Sequence, residues 1–127
     1  MIPQDCFKNQ TKLVDVIMPD VKTIGYNAFG GCSELALTKL PKGLTTINSQ
    51  AFYNCSKLAL TELPSGMRSI GDAAFYYCTS LALTELPDGI TSIGKSAFYY
   101  CTNIALTKLP PDIKVINDSA FYLCKNL

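Results

Sequence analysis

The residues best suited to chemistry are six cysteines, in a chain that has no histidine. Five of them, Cys32, Cys55, Cys78, Cys101 and Cys124, recur every 23 residues. A zinc site needs ligands converging as a tetrahedron, usually from C-x2-C pairs, whereas here each unit supplies one thiol to a straight file. A disulfide between neighbouring units would distort the stacking around it. The expectation is therefore buried, reduced thiols that fill small core volumes, with no metal and no cofactor. Cys6, near the start, is the thiol expected to react.

The other candidates for catalysis are weaker. There is no G-x-S-x-G and no phosphate-cradling glycine loop. Glu62 and Glu85 would be the acid pair, but they fall one unit apart on a flat exposed strand face that offers no desolvated pocket for catalysis. The chain is expected not to be an enzyme. Asn9-Gln10-Thr11, Asn54-Cys55-Ser56 and Asn117-Asp118-Ser119 match the glycosylation acceptor pattern and follow from the repeat itself.

The elements that must position these residues are set by a repeat. Phe29, Phe52, Phe75, Phe98 and Phe121 are each preceded by alanine and followed three positions later by cysteine. A fixed period of this size marks a solenoid. In the unit starting at Leu81, the stretch Leu81 to Leu86 alternates apolar with small or polar residues, as a short strand does. Pro87 stands where pairing ends, since proline has no amide hydrogen to donate. Asp88-Gly89 signals a turn, and Ile90 and Ile93 return to the core. Ala97, Phe98 and Cys101 are spaced to share one face of a short helical segment. The predicted fold is an α/β solenoid of about five coils, each with one short parallel strand and one helical segment. Its single domain, residues 1–127, divides into a partial repeat at 1–12 and repeats at 13–34, 35–57, 58–80, 81–103 and 104–126. Ile2 to Leu13 align with Ile47 to Leu58, and one residue is missing between Pro19 and Ile24.

Net charge is +1 with both signs interspersed. Lys39, Lys42, Lys108 and Lys114 are offset by Glu62, Glu85, Asp88 and Asp112, so neither nucleic acid nor an anionic membrane is an expected partner. Polar residues or prolines interrupt every apolar stretch, and no membrane span is predicted. The start lacks the basic and apolar regions of a signal peptide. A complete chain is thus expected in the cytoplasm, and a fragment of a longer protein at the cell surface or outside it.

Leu58, Leu63, Pro64, Ile70, Gly71, Ala74, Phe75 and Cys78 carry a resemblance to the BspA-like leucine-rich repeats. That family's unit reads roughly L-x-x-I-x-I-P-x-x-V-x-x-I-G-x-x-A-F-x-x-C-x-x, and the match runs over essentially the whole chain. The resemblance implies a curved, non-catalytic solenoid that binds proteins, often as part of a bacterial or protist surface protein. It also poses a question of register. The family has an apolar residue where this chain has Thr38, Thr61, Thr84 and Thr107, and a small or polar one at Leu37, Leu60, Leu83 and Leu106. On the family register the partner-binding concave face comprises Asp15, Ile17, Leu37, Lys39, Leu60, Glu62, Leu83, Glu85, Leu106 and Lys108. On a shifted register the leucines are core and the threonines form the open face.

A second surface is a row of tyrosines, Tyr53, Tyr76, Tyr99 and Tyr122, with Tyr77 and Tyr100 beside it. Stacking is their expected primary role and contact a second one. The expected function is a protein–protein interaction module. The alternatives are a small intracellular inhibitor, encoded by a phage or mobile element, that blocks a host enzyme, and a fragment of a bacterial adhesin. Open terminal coils add the expectation of a homodimer or end-to-end self-association.

Overall fold

A computed structural model describes all 127 residues. Five two-residue strands, β1 (Thr23–Ile24), β2 (Thr46–Ile47), β3 (Ser69–Ile70), β4 (Ser92–Ile93) and β5 (Val115–Ile116), form one open parallel sheet in chain order. Each pairs with the strand one repeat on, Ile24 with Ile47 and Ile47 with Ile70. Ile2 adds an isolated bridge to Ile24, so the partial repeat at the start is stacked on the array too.

The strand lies downstream of its predicted place. The ladder runs through the Thr-Ile and Ser-Ile pairs, not through Leu81 to Leu86. In the leucine stretch each step has one inter-coil bond: Ala59 N–H to Leu37 O, Ala82 N–H to Leu60 O, Ala105 N–H to Leu83 O. Alternation in sequence reports which side chains go inward; it does not report which amides find a partner. Leu81 and Leu83 do go inward, on extended backbone that bends at Thr84 before a ladder can form.

The predicted helical segment is absent, and the repeat is built of strand and turns. Every coil places two residues in the left-handed region, one two positions before the phenylalanine and one two positions after it. Around Phe75 these are Ala73 (φ 53°) and Tyr77 (φ 63°), and around Phe98 they are Ser96 (φ 54°) and Tyr100 (φ 59°). A right-handed helix cannot pass through such positions. The backbone makes overlapping turns instead, with Ala74, Tyr76 and Cys78 donating to Gly71, Ala73 and Phe75. The intervening amides of Ala73, Phe75 and Tyr77 reach forward to the carbonyls of Lys95, Ala97 and Tyr99 in the next coil, each at 2.8 Å. Apolar residues one and four apart look helical in sequence because this turn string also directs them to a single side.

Of 65 backbone hydrogen bonds only 4 lie within the strands, so the stack is held mainly by turn and loop amides. Amides on the leucine side donate backward to the preceding coil and those on the turn side donate forward, while the sheet side uses both directions, with Ile2 N–H reaching forward to Thr23 O and Gly25 N–H back to Ile2 O. Coil spacing is tight where Gly94 follows the strand: a Cβ there would lie 2.4 Å from the Asp72 amide nitrogen. With the backbone as it lies at Gly94 a side chain has no room, although Asn48 and Asn117 occupy the same column in other coils.

Thirty-three buried residues form one continuous core. Its axis is a ladder of six phenylalanine rings from Phe7 to Phe121, with centroids 5.2–5.5 Å apart and planes within 8°. The cysteines run beside it. Each Sγ donates to the carbonyl of the phenylalanine one coil earlier, Cys55 to Phe29 and Cys78 to Phe52 at 3.1 Å, Cys101 to Phe75 at 3.0 Å. That carbonyl already accepts the amide of its own coil's cysteine, so the thiol fills a second lone pair.

Candidate functional site

The register question is settled by burial. Leu60 and Leu83 are wholly buried and Leu37 is 6 % exposed, while Thr38, Thr61, Thr84 and Thr107 face outward. The leucine row at Leu37, Leu60 and Leu83 is therefore core, not a contact face, and Leu106 is half-buried against that core. The reason is economy of polar groups: an inward threonine would need a partner for its hydroxyl, and no buried side-chain polar atom in this molecule lacks one.

The remaining residues of the predicted face are exposed. Lys39, Glu62, Glu85 and Lys108 follow the outward threonines in one column, and none is in an ion pair. Between successive coils they line two shallow grooves. One, of about 370 Å³, lies among Lys39, Lys42, Glu62, Pro64 and Ser65, and the other, of about 310 Å³, among Glu62, Ser65, Glu85, Asp88 and Lys108. Asp15 and Ile17 sit on the irregular first full coil. Asp15 accepts the Val16 amide at 2.9 Å, and Ile17 is 91 % exposed.

The tyrosines stack as expected. Tyr53–Tyr76 and Tyr76–Tyr99 lie 4.7 Å apart, Tyr99–Tyr122 5.1 Å and Tyr77–Tyr100 4.5 Å. Loss of water within the stack, followed by the neighbouring phenols of Tyr76 and Tyr122, raises the Tyr99 hydroxyl above its ordinary range.

The sequence reading missed the outward row of the sheet, Thr23, Thr46, Ser69, Ser92 and Val115, with Lys22, Thr45, Arg68, Thr91 and Lys114 beside it. The signal was present. In the first four coils a threonine or serine directly precedes an inward isoleucine, the arrangement of a half-buried strand, whereas Val115 and Ile116 of the last coil are both exposed. Desolvation pushes the thiols of Cys55, Cys78 and Cys101 up, Cys78 well above the ordinary range, which leaves them protonated and inert. Cys6 is the exposed thiol.

Parallel in-register rungs and one stacked phenylalanine per coil define a solenoid of stacked repeats, a fold that in general serves as a protein-interaction scaffold. The profile of the family described as BspA type leucine rich repeat region matches in six copies over residues 1–127. The chain belongs to this family. It is similar in structure to the T. pallidum leucine rich repeat protein, at TM-score 0.89 and 36 % identity, over 99 % of this chain and 59 % of that one. A leucine rich cell surface protein from Faecalibacterium prausnitzii gives 0.83 and 36 %, over 99 % of this chain and 35 % of that one. A leucine-rich repeat protein from Bacteroides ovatus gives 0.81 and 27 %, over 99 % and 33 %. The chain thus spans between a third and three-fifths of the length of these relatives. Comparison with curated proteins gives no significant match. No helix is long and apolar enough to cross a membrane.

Proposed function

We propose that the chain is a non-catalytic protein-binding module whose partner docks on the side carrying Lys39, Glu62, Glu85 and Lys108. The observation behind this reading is a contrast between columns. Inward columns repeat nearly unchanged from coil to coil, while this outward column changes sign from Lys39 to Glu62 and again from Glu85 to Lys108. Outward charges with no partner of their own, set beside shallow grooves on a rigid stack, suit recognition by charge pattern. Such charges orient a partner and set its rate of arrival more than they set affinity.

The test is affinity capture from source cells with the unaltered chain and with a Glu62→Lys/Glu85→Lys variant of matched thermal stability. A protein retained by the first and lost from the second supports the face. Equal retention by both discards it, and no specific retention by either discards the module. A setting at the cell surface is the second reading, favoured by the relative described as a leucine rich cell surface protein. Labelling of intact cells with an impermeant reagent tests it; a chain reached only after lysis would overturn it.

A further inference from the structure

The shorter tyrosine column stops in the middle of the rod. Tyr100 covers one face of Tyr77 at 4.5 Å, with the rings 3° from parallel. On the other side of Tyr77 the same column holds Asn54 and then Gly31, so no ring lies against that face, and Tyr77 is 41 % exposed. A shallow notch remains, lined by Asn54, Ser56, Tyr76 and Tyr77. Tyr76 approaches Tyr77 at 6.2 Å and 31°, which makes it a side wall instead of a second stacking face. No charged side chain lines the notch, and Lys57, next to Ser56, is held by Glu34 at 2.8 Å.

We propose that this notch takes an aromatic side chain of a protein partner, its ring lying on Tyr77 where the column lacks a tyrosine. The proposal rests on the reading of the chain as a protein-binding module, though not on the charged face. The columns themselves show what such a place holds. Tyr100 on Tyr77, and Tyr76 on Tyr53 at 4.7 Å, are parallel phenol rings one coil apart. With no carboxylate to hold a cation and a ring face that repels a carboxylate, the notch suits an uncharged ring. The Asn54 amide and the Ser56 hydroxyl are at hand for a phenol or indole hydrogen. A sugar ring, which also packs on aromatic faces, is the other occupant that the test must separate.

The test is an NMR titration of the isotopically labelled full chain with uncharged N-acetyl-tyrosinamide, and in parallel with methyl glucoside. Tyrosinamide should shift the Asn54, Ser56 and Tyr77 amides before any others. In Tyr77→Leu its binding should weaken about five-fold, the worth of one aromatic pair. An Asn54→Tyr variant should abolish binding by filling the notch with the chain's own ring. That variant is tolerated because Asn54 (φ 60°) has the backbone conformation of Tyr77 (φ 63°) and Tyr100 (φ 59°), which already carry tyrosine. Shifts spread over all the tyrosines, binding unchanged in Asn54→Tyr, or glucoside shifting the same amides in place of tyrosinamide would each overturn the proposal. Such a failure would leave the charged-face reading intact, since the probe is uncharged and the notch contains none of those four residues.

Discussion

At the scale of single residues, the cysteines matter most. Their thiols are at once apolar filler and donors to the phenylalanine carbonyls, a double role that alanine or serine would each meet only in part. Burial raises the Cys55, Cys78 and Cys101 thiols above their unfolded values, so the folded state holds protons that the unfolded chain releases. The sign follows. Stability from these groups is whole below the unfolded thiol pKa near 9 and falls as pH rises above it, by about 1.4 kcal/mol per pH unit for each thiol. Urea titrations at pH 8, 9 and 10 should show midpoints falling steeply over the last step. Cys78→Ala, less stable at pH 8, should show a shallower fall with pH. A midpoint flat from pH 8 to 10 would contradict the burial of these thiols.

At the scale of elements, the turn string defines this repeat. It takes the place of a helix by alternating local turn bonds with bonds to the next coil, and it requires a left-handed residue on either side of each phenylalanine. Asparagine and glycine fill some of these places, at Asn9, Gly31, Asn27 and Asn54, whereas Ala73, Tyr77, Tyr100 and Leu123 do not have that latitude. An alanine in this conformation is strained by about 1–2 kcal/mol, part of which glycine would return through its greater freedom when unfolded. Ala73→Gly should therefore stabilise the chain by about 0.5–1 kcal/mol, seen as a melting temperature a few degrees higher. A lower melting temperature would mean that the Ala73 methyl contributes more than its backbone strain removes.

At the scale of the molecule, the rod is one-dimensional, and each coil answers only to its neighbours. A rung removed from the middle therefore weakens two interfaces, and one removed from the end weakens a single interface. Phe75 is wholly buried between Phe52 and Phe98, while Phe121 is half-buried with a ring on one side. Phe75→Ala should destabilise the array by about 3–5 kcal/mol, in the range for large aromatic truncations. Phe121→Ala should show less than half that loss in the same denaturant titration. Equal losses would mean that the chain unfolds as a three-dimensional globule and not as a stack.

Much of this was legible in sequence because translation by one coil makes the 23-residue period visible: Phe75 tells where Phe52 and Phe98 must be. Period, inward phenylalanines, buried cysteines and the stacking of Tyr53, Tyr76 and Tyr99 all follow from like residues falling in line. What the period leaves open is how the backbone travels between those lines. Only the tertiary structure decided that the ladder passes through Ser69–Ile70 and its equivalents, that Ala73 and Tyr77 turn left-handed, and that Leu60 faces inward while Thr61 faces out. The reason is that these choices depend on which amide meets which carbonyl across coils. An alternating or three-to-four spacing of apolar side chains fits both answers; hydrogen bonds to the neighbouring coil select one.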